Sequence, residues 1–100
     1  MTIGKKQENG KIIFSLDGRL DTVTSPQLQS ALIPVFDETA YVELDFTKLA
    51  YISSAGLRVL LIGQKTAKAN NALMTVSNVS EEIMEVFTMT GFSDVLIINC

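Results

Sequence analysis

The sequence predicts a single α/β domain over residues 1–100, in which helices pack on a mostly parallel β-sheet that begins with a hairpin-like strand pair. Its length of 100 residues is the common size of one compact unit. Apolar residues make up 47% and charged residues 19%, which is enough for a core. After the opening strands, helix-like and strand-like segments alternate. That order favours parallel strands joined by right-handed crossovers.

The opening segments predict two strands. Residues 11–16 are β-branched and aromatic, and the Asp-Gly pair at 17–18 is a strong turn signal that should end the strand. A shorter strand near Ile3 can pair with it across residues 8–10, because Asn-Gly between strand-like residues is typical of a hairpin.

The next predicted element is a helix that begins at Thr24 or Ser25. Either residue can cap it, with Pro26 at the first helical position or Gln27 as the capping-box partner. Pro34 lacks a backbone N–H, so we expect a kink or an early end in the last turn. Apolar residues recur at the spacing of one buried helix face, namely Leu28, Ala31, Leu32, Val35 and Phe36.

The remaining elements follow the same alternation. Residues 41–46 predict a strand, and a second helix is expected from Ser53 or Ser54 to about residues 70–71, buried on most sides of its apolar first half. A short strand at 72–76 precedes a third helix, which Ser80 should cap and Gly91 should end. Residues 95–98 predict a last buried strand. The methionines expected in or near the core are Met74, Met84 and Met89.

Composition argues against several classes of function. The formal net charge is −3 and like charges never cluster, whereas nucleic-acid binding needs grouped Lys and Arg, so we expect no nucleic-acid partner. No apolar run approaches the ~20 residues that span a bilayer, and residues 1–11 lack the apolar region of a secretory signal. We therefore expect a cytoplasmic protein without membrane contact. Cys100 is the single cysteine, which rules out a disulfide within the chain.

The residues needed for common enzyme chemistry are missing. The chain has no histidine, which removes Ser-His-Asp and Cys-His catalysis, and it has no glycine-rich phosphate loop. Asp17, Asp21 and Asp45 could converge on a metal ion, but their spacing matches no loop motif. We expect no enzymatic activity, no cofactor and no metal.

Two segments stand out where ligands usually approach a parallel sheet, at the carboxyl ends of its strands. They are residues 17–22 and residues 48–57, and the second places two hydroxyls at the start of a largely apolar helix. One serine can cap the helix and Gly56 can allow tight packing. Capping does not require a second serine or the small pair formed by Ala55 and Gly56.

Residues 49–61, LAYISSAGLRVLL, together with Leu-Asp-Phe at 44–46 and Gly-Arg-Leu-Asp at 18–21, resemble the STAS domain of bacterial anti-sigma factor antagonists. The element order and the turn at 90–92 match as well, so the resemblance extends over nearly the whole chain. It implies a protein that binds an anti-sigma factor serine kinase, is phosphorylated by it, and is restored by a serine phosphatase.

The resemblance also implies where phosphorylation occurs. The acceptor of the family maps onto Ser54. The family pattern has aspartate before the acceptor and often serine or threonine after it, whereas this chain has Ser53 and Ala55. That departure leaves Ser53 open as a second acceptor.

A phosphate on Ser54 would add about −1.5 to −2 charges at a helix amino terminus, which the helix tolerates and a docked partner does not. Asp21 as a plain turn residue and Arg58 as a plain surface residue are the alternative interpretations. The partner-binding surface that the sequence predicts around Ser54 consists of Asp21, Thr22, Ser53, Ala55, Gly56 and Arg58.

Two other functions stay open from the sequence. The chain is a constitutive STAS scaffold if it is never phosphorylated, and Ser53 in place of the family's aspartate favours that reading. A small hydrolase with an unusual serine site is remote, because no base is evident.

Overall fold

A five-stranded β-sheet forms the framework of the computed structural model, which describes residues 1–99. Cys100 lies outside the described residues. The strands lie side by side in chain order, the first pair antiparallel and the others parallel. This confirms the predicted mostly parallel sheet with an amino-terminal strand pair. The strands are Thr2–Glu8 (β1), Lys11–Leu20 (β2), Tyr41–Ile52 (β3), Leu73–Ser77 (β4) and Ile97–Asn99 (β5).

Three α-helices connect the parallel strands of the described chain, and two short 3₁₀ helices extend the connections. The α-helices are Ser25–Leu32 (α1), Ser54–Ala69 (α2) and Glu81–Thr90 (α3), and the 3₁₀ helices are Ile33–Asp37 and Phe92–Asp94. Pro34 lies in the 3₁₀ segment that follows α1, so the expected early end is confirmed. The Ser80 hydroxyl caps α3, accepting from Ile83 N at 3.2 Å, and Gly91 ends it at φ +81°.

The strand boundaries correct the sequence prediction in β2 and β3. The Asp-Gly pair at 17–18 does not end β2, because Gly18 takes φ +118° within a region of shifted register and the strand continues to Leu20. β3 likewise runs to Ile52, so the first half of the segment at 48–57, which was expected to be a loop, is strand. The two extensions pair with each other, Arg19 with Tyr51 and Leu20 with Ile52. Each stretch is stabilised by the other, which neither segment reveals alone.

The core lies between one face of the sheet and the helices. Phe46 of β3 and Phe87 of α3 pack with ring centroids 6.4 Å apart. A Cβ added at Gly63 of α2 would come within 2.8 Å of Leu32 Cδ2 and 3.0 Å of Met74 Sδ, so the glycine allows α2 to approach closely. The buried sheet residues that form this face include Ile12, Phe14, Leu16, Leu20, Val42, Leu44, Phe46, Met74 and Val76.

Two predictions about burial were wrong. The last strand begins only at Ile97, lies at the sheet edge and is partly exposed, because residues 92–94 turn as a 3₁₀ helix first. Met89 is 84% exposed on the outer face of α3, whereas Met74 is fully buried. None of the helices within residues 1–99 combines the length and apolar content that a membrane crossing requires.

Candidate functional site

The start of α2 carries two serine hydroxyls with different roles. Ser53 is the N-cap residue, in extended conformation, and its Oγ accepts a hydrogen bond from Gly56 N at 3.4 Å. Its own N–H donates to Leu20 O at 2.9 Å, which ties the cap to the end of β2. Ser54 is the first residue of the helix, is exposed, and takes no part in the capping bond. The hydroxyl of Ser54 is therefore accessible, while that of Ser53 is half-buried and in use.

The electrostatics of this helix end favour an anion. The first turn of α2 contains no acidic residue, so no side-chain charge offsets the positive end of the helix dipole. The backbone N–H groups at a helix start that have no partner within the helix also favour an anion. By contrast, α3 carries Glu81 and Glu82 in its first turn.

Asp21 organises the turn between β2 and α1. Its Oδ1 accepts hydrogen bonds from Thr24 N at 3.1 Å and Val23 N at 3.0 Å, and its own N–H donates to Thr24 Oγ1 at 2.9 Å. The hydrogen bond from the Thr24 backbone, with those from Val23 N and the Thr24 hydroxyl, lowers the pKa of Asp21. The second carboxylate oxygen lies 3.9 Å from Arg19 Nε. The turn interpretation of Asp21 is thus what the geometry shows.

Neither hydroxyl that was expected to cap α1 does so. Thr24 occupies the N-cap position without a side-chain capping bond, and its Oγ1 donates to Arg19 O at 2.7 Å. Ser25 is buried, and its Oγ donates to Asp21 O. The Thr24 hydroxyl thus fastens the turn to the end of β2, and the Ser25 hydroxyl closes the turn on Asp21. Pro26 is the second residue of α1, one position later than a cap at Ser25 would place it.

The structure brings part of the predicted partner surface together. Thr22, Ala55 and Arg58 line one shallow depression of about 160 Å³ between α1 and α2. Arg58 is exposed one helical turn after Ser54, on the same side of α2. Ser53 and Ser54 lie at the start of the same helix.

Gly56 has a different place from the other predicted surface residues. It is buried, and a Cβ there would come within 2.8 Å of Leu20 Cγ and 2.9 Å of Ile52 Cγ1. The glycine lets α2 begin directly on the extended ends of β2 and β3. Its contribution is to position Ser54.

Sequence reasoning missed three exposed side chains at this end of the molecule. The guanidinium carbon of Arg19 lies 4.1 Å from the ring centroid of Tyr51, in a cation–π contact across the paired strand ends. Val23, at the tip of the Asp21 turn, is 84% exposed. Arg19 and Tyr51 stood within segments that the sequence analysis singled out, but their contact depends on the strand extension, and Val23 gave no signal.

The acidic residues considered for a metal do not meet. Asp17 and Asp45 line a groove of about 350 Å³ on the opposite sheet face, while Asp21 lies in its turn. Burial opposes ionisation of Asp45, but hydrogen bonds from Thr47 and Asn78 outweigh it and lower the pKa of Asp45. Among residues 1–99 no group of three or more His, Cys, Asp or Glu side chains is placed to hold a metal ion.

Comparison with known proteins gives concordant results. The anti-sigma-B factor antagonist of Bacillus subtilis is 25% identical over 99 residues, which cover 99% of this chain and 91% of that protein. The unphosphorylated form of the anti-sigma factor antagonist SpoIIAA superposes with a TM-score of 0.78 at 15% identity, covering 99% of this chain and 88% of that one. The phosphorylated form of SpoIIAA, a Bacillus cell fate determinant, gives 0.76 at 16% identity, covering 99% and 92%.

The two structural likenesses show the same fold. The model of the STAS domain matches residues 2–99, and this chain therefore belongs to the STAS domain family.

Proposed function

We propose that this protein is an anti-sigma factor antagonist, that it binds an anti-sigma factor serine kinase while unphosphorylated, and that phosphorylation of Ser54 by that kinase ends the binding. The exposed hydroxyl of Ser54 at the start of α2 carries the proposal. The name of the Bacillus subtilis relative supports the class of function. A serine phosphatase restores the binding form, and the exchange takes place in the cytoplasm on a single STAS domain.

The switch follows from the chemistry of a helix start. A phosphate on Ser54 brings about −1.5 to −2 charges to a helix end that lacks acidic side chains, so the fold tolerates it. A partner docked there would face a hydrated dianion where it had met a hydroxyl. A hundredfold loss of affinity needs only ~2.7 kcal/mol, which the cost of desolvating the phosphate and like-charge repulsion supply.

The geometry supports Ser54 over Ser53 as the acceptor. The Ser53 hydroxyl accepts from Gly56 N and sits half-buried beside the strand ends, so a phosphate there would displace the cap. Serine and aspartate cap helices about equally well, which means that Ser53 preserves the local geometry although it lacks the charge of the family's aspartate.

The partner surface in this proposal centres on Ser54 and the depression beside it. Thr22, Ala55 and Arg58 line that depression. Asp21 and Gly56 support this surface indirectly. Asp21 stabilises the turn after β2, and Gly56 allows α2 to pack closely on the strand ends. ATP belongs to the kinase, and the chain itself performs no catalysis.

Phosphorylation followed by mass spectrometry tests the proposal. Purified anti-sigma factor kinases of the source organism are incubated with ATP and the wild-type protein, Ser54→Ala or Ser53→Ala. We expect one phosphate on the wild type and on Ser53→Ala, and none on Ser54→Ala. Ser54→Ala should bind the same kinase as the wild type does, because the hydroxyl makes no capping bond.

Titration calorimetry of the two forms then separates the proposal from the scaffold alternative. We expect the phosphorylated protein to bind its kinase about a hundredfold more weakly than the unphosphorylated protein. Equal affinity would establish a constitutive scaffold, and phosphate on Ser53 alone would move the switch to the cap.

A further inference from the structure

Both arginines of the chain lie at the end of the molecule that carries Ser54. Arg58 follows Ser54 by one turn of α2, and Arg19 lies at the end of β2, in register with Tyr51 of β3. The Leu20 carbonyl accepts from Ser53 N, so the end of β2 is joined directly to the start of α2. A protein of net charge −3 thus carries both of its arginines at the end of the sheet where α2 begins.

The Arg19 side chain is held in place but its donors are not consumed. The Tyr51 ring supports the guanidinium at 4.1 Å, and the Asp21 carboxylate lies 3.9 Å from Nε, beyond hydrogen-bond distance. The side chain is 62% exposed. An arginine ordered in this way loses less conformational freedom on binding than a free one, and it keeps N–H groups for a planar carboxylate.

The surroundings of the pair suit a protein interface. Arginine and tyrosine are enriched among the residues that dominate binding energy, whereas a solvated surface arginine needs no aromatic support. Val23 adds an exposed apolar side chain on the turn after β2. Three hydrogen bonds fix that turn, two between Asp21 and Thr24 and one between Asp21 and Val23. The fold uses none of these side chains for its core.

We infer that the Arg19–Tyr51 pair is an anchor for an acidic patch on the partner. That patch places carboxylates against Arg19 at the end of β2 and against Arg58 on α2. This inference rests on the proposed function and extends it to the chemistry of the partner surface. The same carboxylates would increase the difference in affinity between the unphosphorylated and the phosphorylated protein. They attract the unphosphorylated protein through the arginines and repel a phosphate on Ser54.

Alanine substitutions with matched controls test the anchor. The probe is the purified anti-sigma factor kinase that binds the wild-type protein. Arg19→Ala and Tyr51→Ala should each weaken binding by about tenfold or more, with unchanged thermal melting, because both side chains lie outside the core. Lys11→Ala and Tyr41→Ala remove the other cation–π pair of the described chain and should leave affinity within about twofold. Arg19→Lys keeps the charge without the planar fork and should fall in between.

Salt dependence gives a readout that a merely structural role would not move. Wild-type affinity should fall as salt is raised, and the fall should be shallower for Arg19→Ala, because one attractive charge is gone. The difference in affinity for the kinase between the phosphorylated and the unphosphorylated wild type should also become smaller in high salt. If Arg19→Ala bound the kinase with the affinity and salt dependence of the wild type, the anchor would be overturned. The same holds if Lys11→Ala weakened binding as much as Arg19→Ala. Either result would leave the Ser54 switch unaffected. A wild type that binds no anti-sigma factor kinase would overturn the proposed function and the anchor with it.

Discussion

Within residues 1–99 two cations lie over tyrosine rings, at opposite ends of the paired strands β2 and β3, and their surroundings differ. Lys11 Nζ lies 5.4 Å from the ring centroid of Tyr41 and 3.1 Å from Glu43 Oε1. The other oxygen of Glu43 accepts from Ser77 Oγ at 2.9 Å. Glu43 of β3 thereby links Lys11 of β2 with Ser77 of β4, and the side chains of Lys11 and Glu43 are only 31% and 18% exposed.

The Arg19–Tyr51 pair lacks such a network. Its nearest carboxylate, that of Asp21, is 3.9 Å away and is mainly used by the turn. The same type of contact therefore has two uses. At the start of the strands it supports the sheet, and at their end, near the start of α2, it presents hydrogen-bond donors to solvent.

The largest expected effect concerns the packing of α2 against the ends of β2 and β3, the end of the strands at which the Arg19–Tyr51 pair lies. Gly56→Ala should lower the free energy of unfolding by about 1–3 kcal/mol, because the new methyl would overlap Leu20 and Ile52 by more than the gain of alanine over glycine in a helix offsets. Gly4→Ala, on the face that carries the Lys11 pair, is the control, since its Cβ would lie an ordinary 3.8 Å from Ser15 Cβ.

Urea unfolding of the two variants measures this contrast. We expect a clear shift of the midpoint for Gly56→Ala and almost none for Gly4→Ala. A Gly56→Ala variant as stable as the wild type would show that α2 can move away from the strand ends, and the placement of Ser54 would then be looser than the packing indicates.

Local signals explain which parts of the fold the sequence predicted. Pro34 ends α1, Ser80 caps α3 and Gly91 stops it, and each acts through its own backbone or its next few neighbours. The hairpin turn at 9–10 is of the same kind, with both residues at positive φ. Such features need no knowledge of the rest of the chain.

The missed features depend on distant segments. The strands continue to Leu20 and Ile52 because they pair with each other, whereas the sequence prediction ended β2 at the Asp-Gly pair and β3 at residue 46. The candidate site divides in the same way. Two hydroxyls at a helix start are visible in the sequence and the family resemblance implied Ser54 as the acceptor, whereas the contact of Arg19 with Tyr51 exists only once the strand ends meet.

A change of pH should affect the stability contributed by the two ends of the paired strands in opposite directions. The pKa of Asp21 is lowered by its hydrogen bonds from Thr24 and Val23, so its contribution to stability is present above the ordinary value of about 3.9 and is lost as pH falls through the folded value. The hydrogen bond and charge of Glu43 raise the pKa of Lys11, so that contribution is present below about 10.4 and is lost as pH rises through the folded value.

Denaturation across the pH range checks both signs. Relative to the wild type, Asp21→Asn should show a flatter loss of stability in acid and an unchanged alkaline limb. Lys11→Met should show the reverse. An acid limb that is identical in the wild type and Asp21→Asn would mean that the turn does not depend on the charge of Asp21.

The smallest expected effect distinguishes an exposed apolar residue at the proposed partner surface from one outside it. Val23 and Met89 are both 84% exposed, one on the Asp21 turn and one on the outer face of α3. Val23→Ser should weaken binding of the anti-sigma factor kinase by about threefold, since it removes one apolar contact near the rim of the surface, and Met89→Ser should not change it. Neither variant should alter the unfolding midpoint, because neither side chain is buried. If Met89→Ser weakened binding as much as Val23→Ser, the partner would have to extend over α3, and the Arg19 end could no longer be described as a separate docking surface.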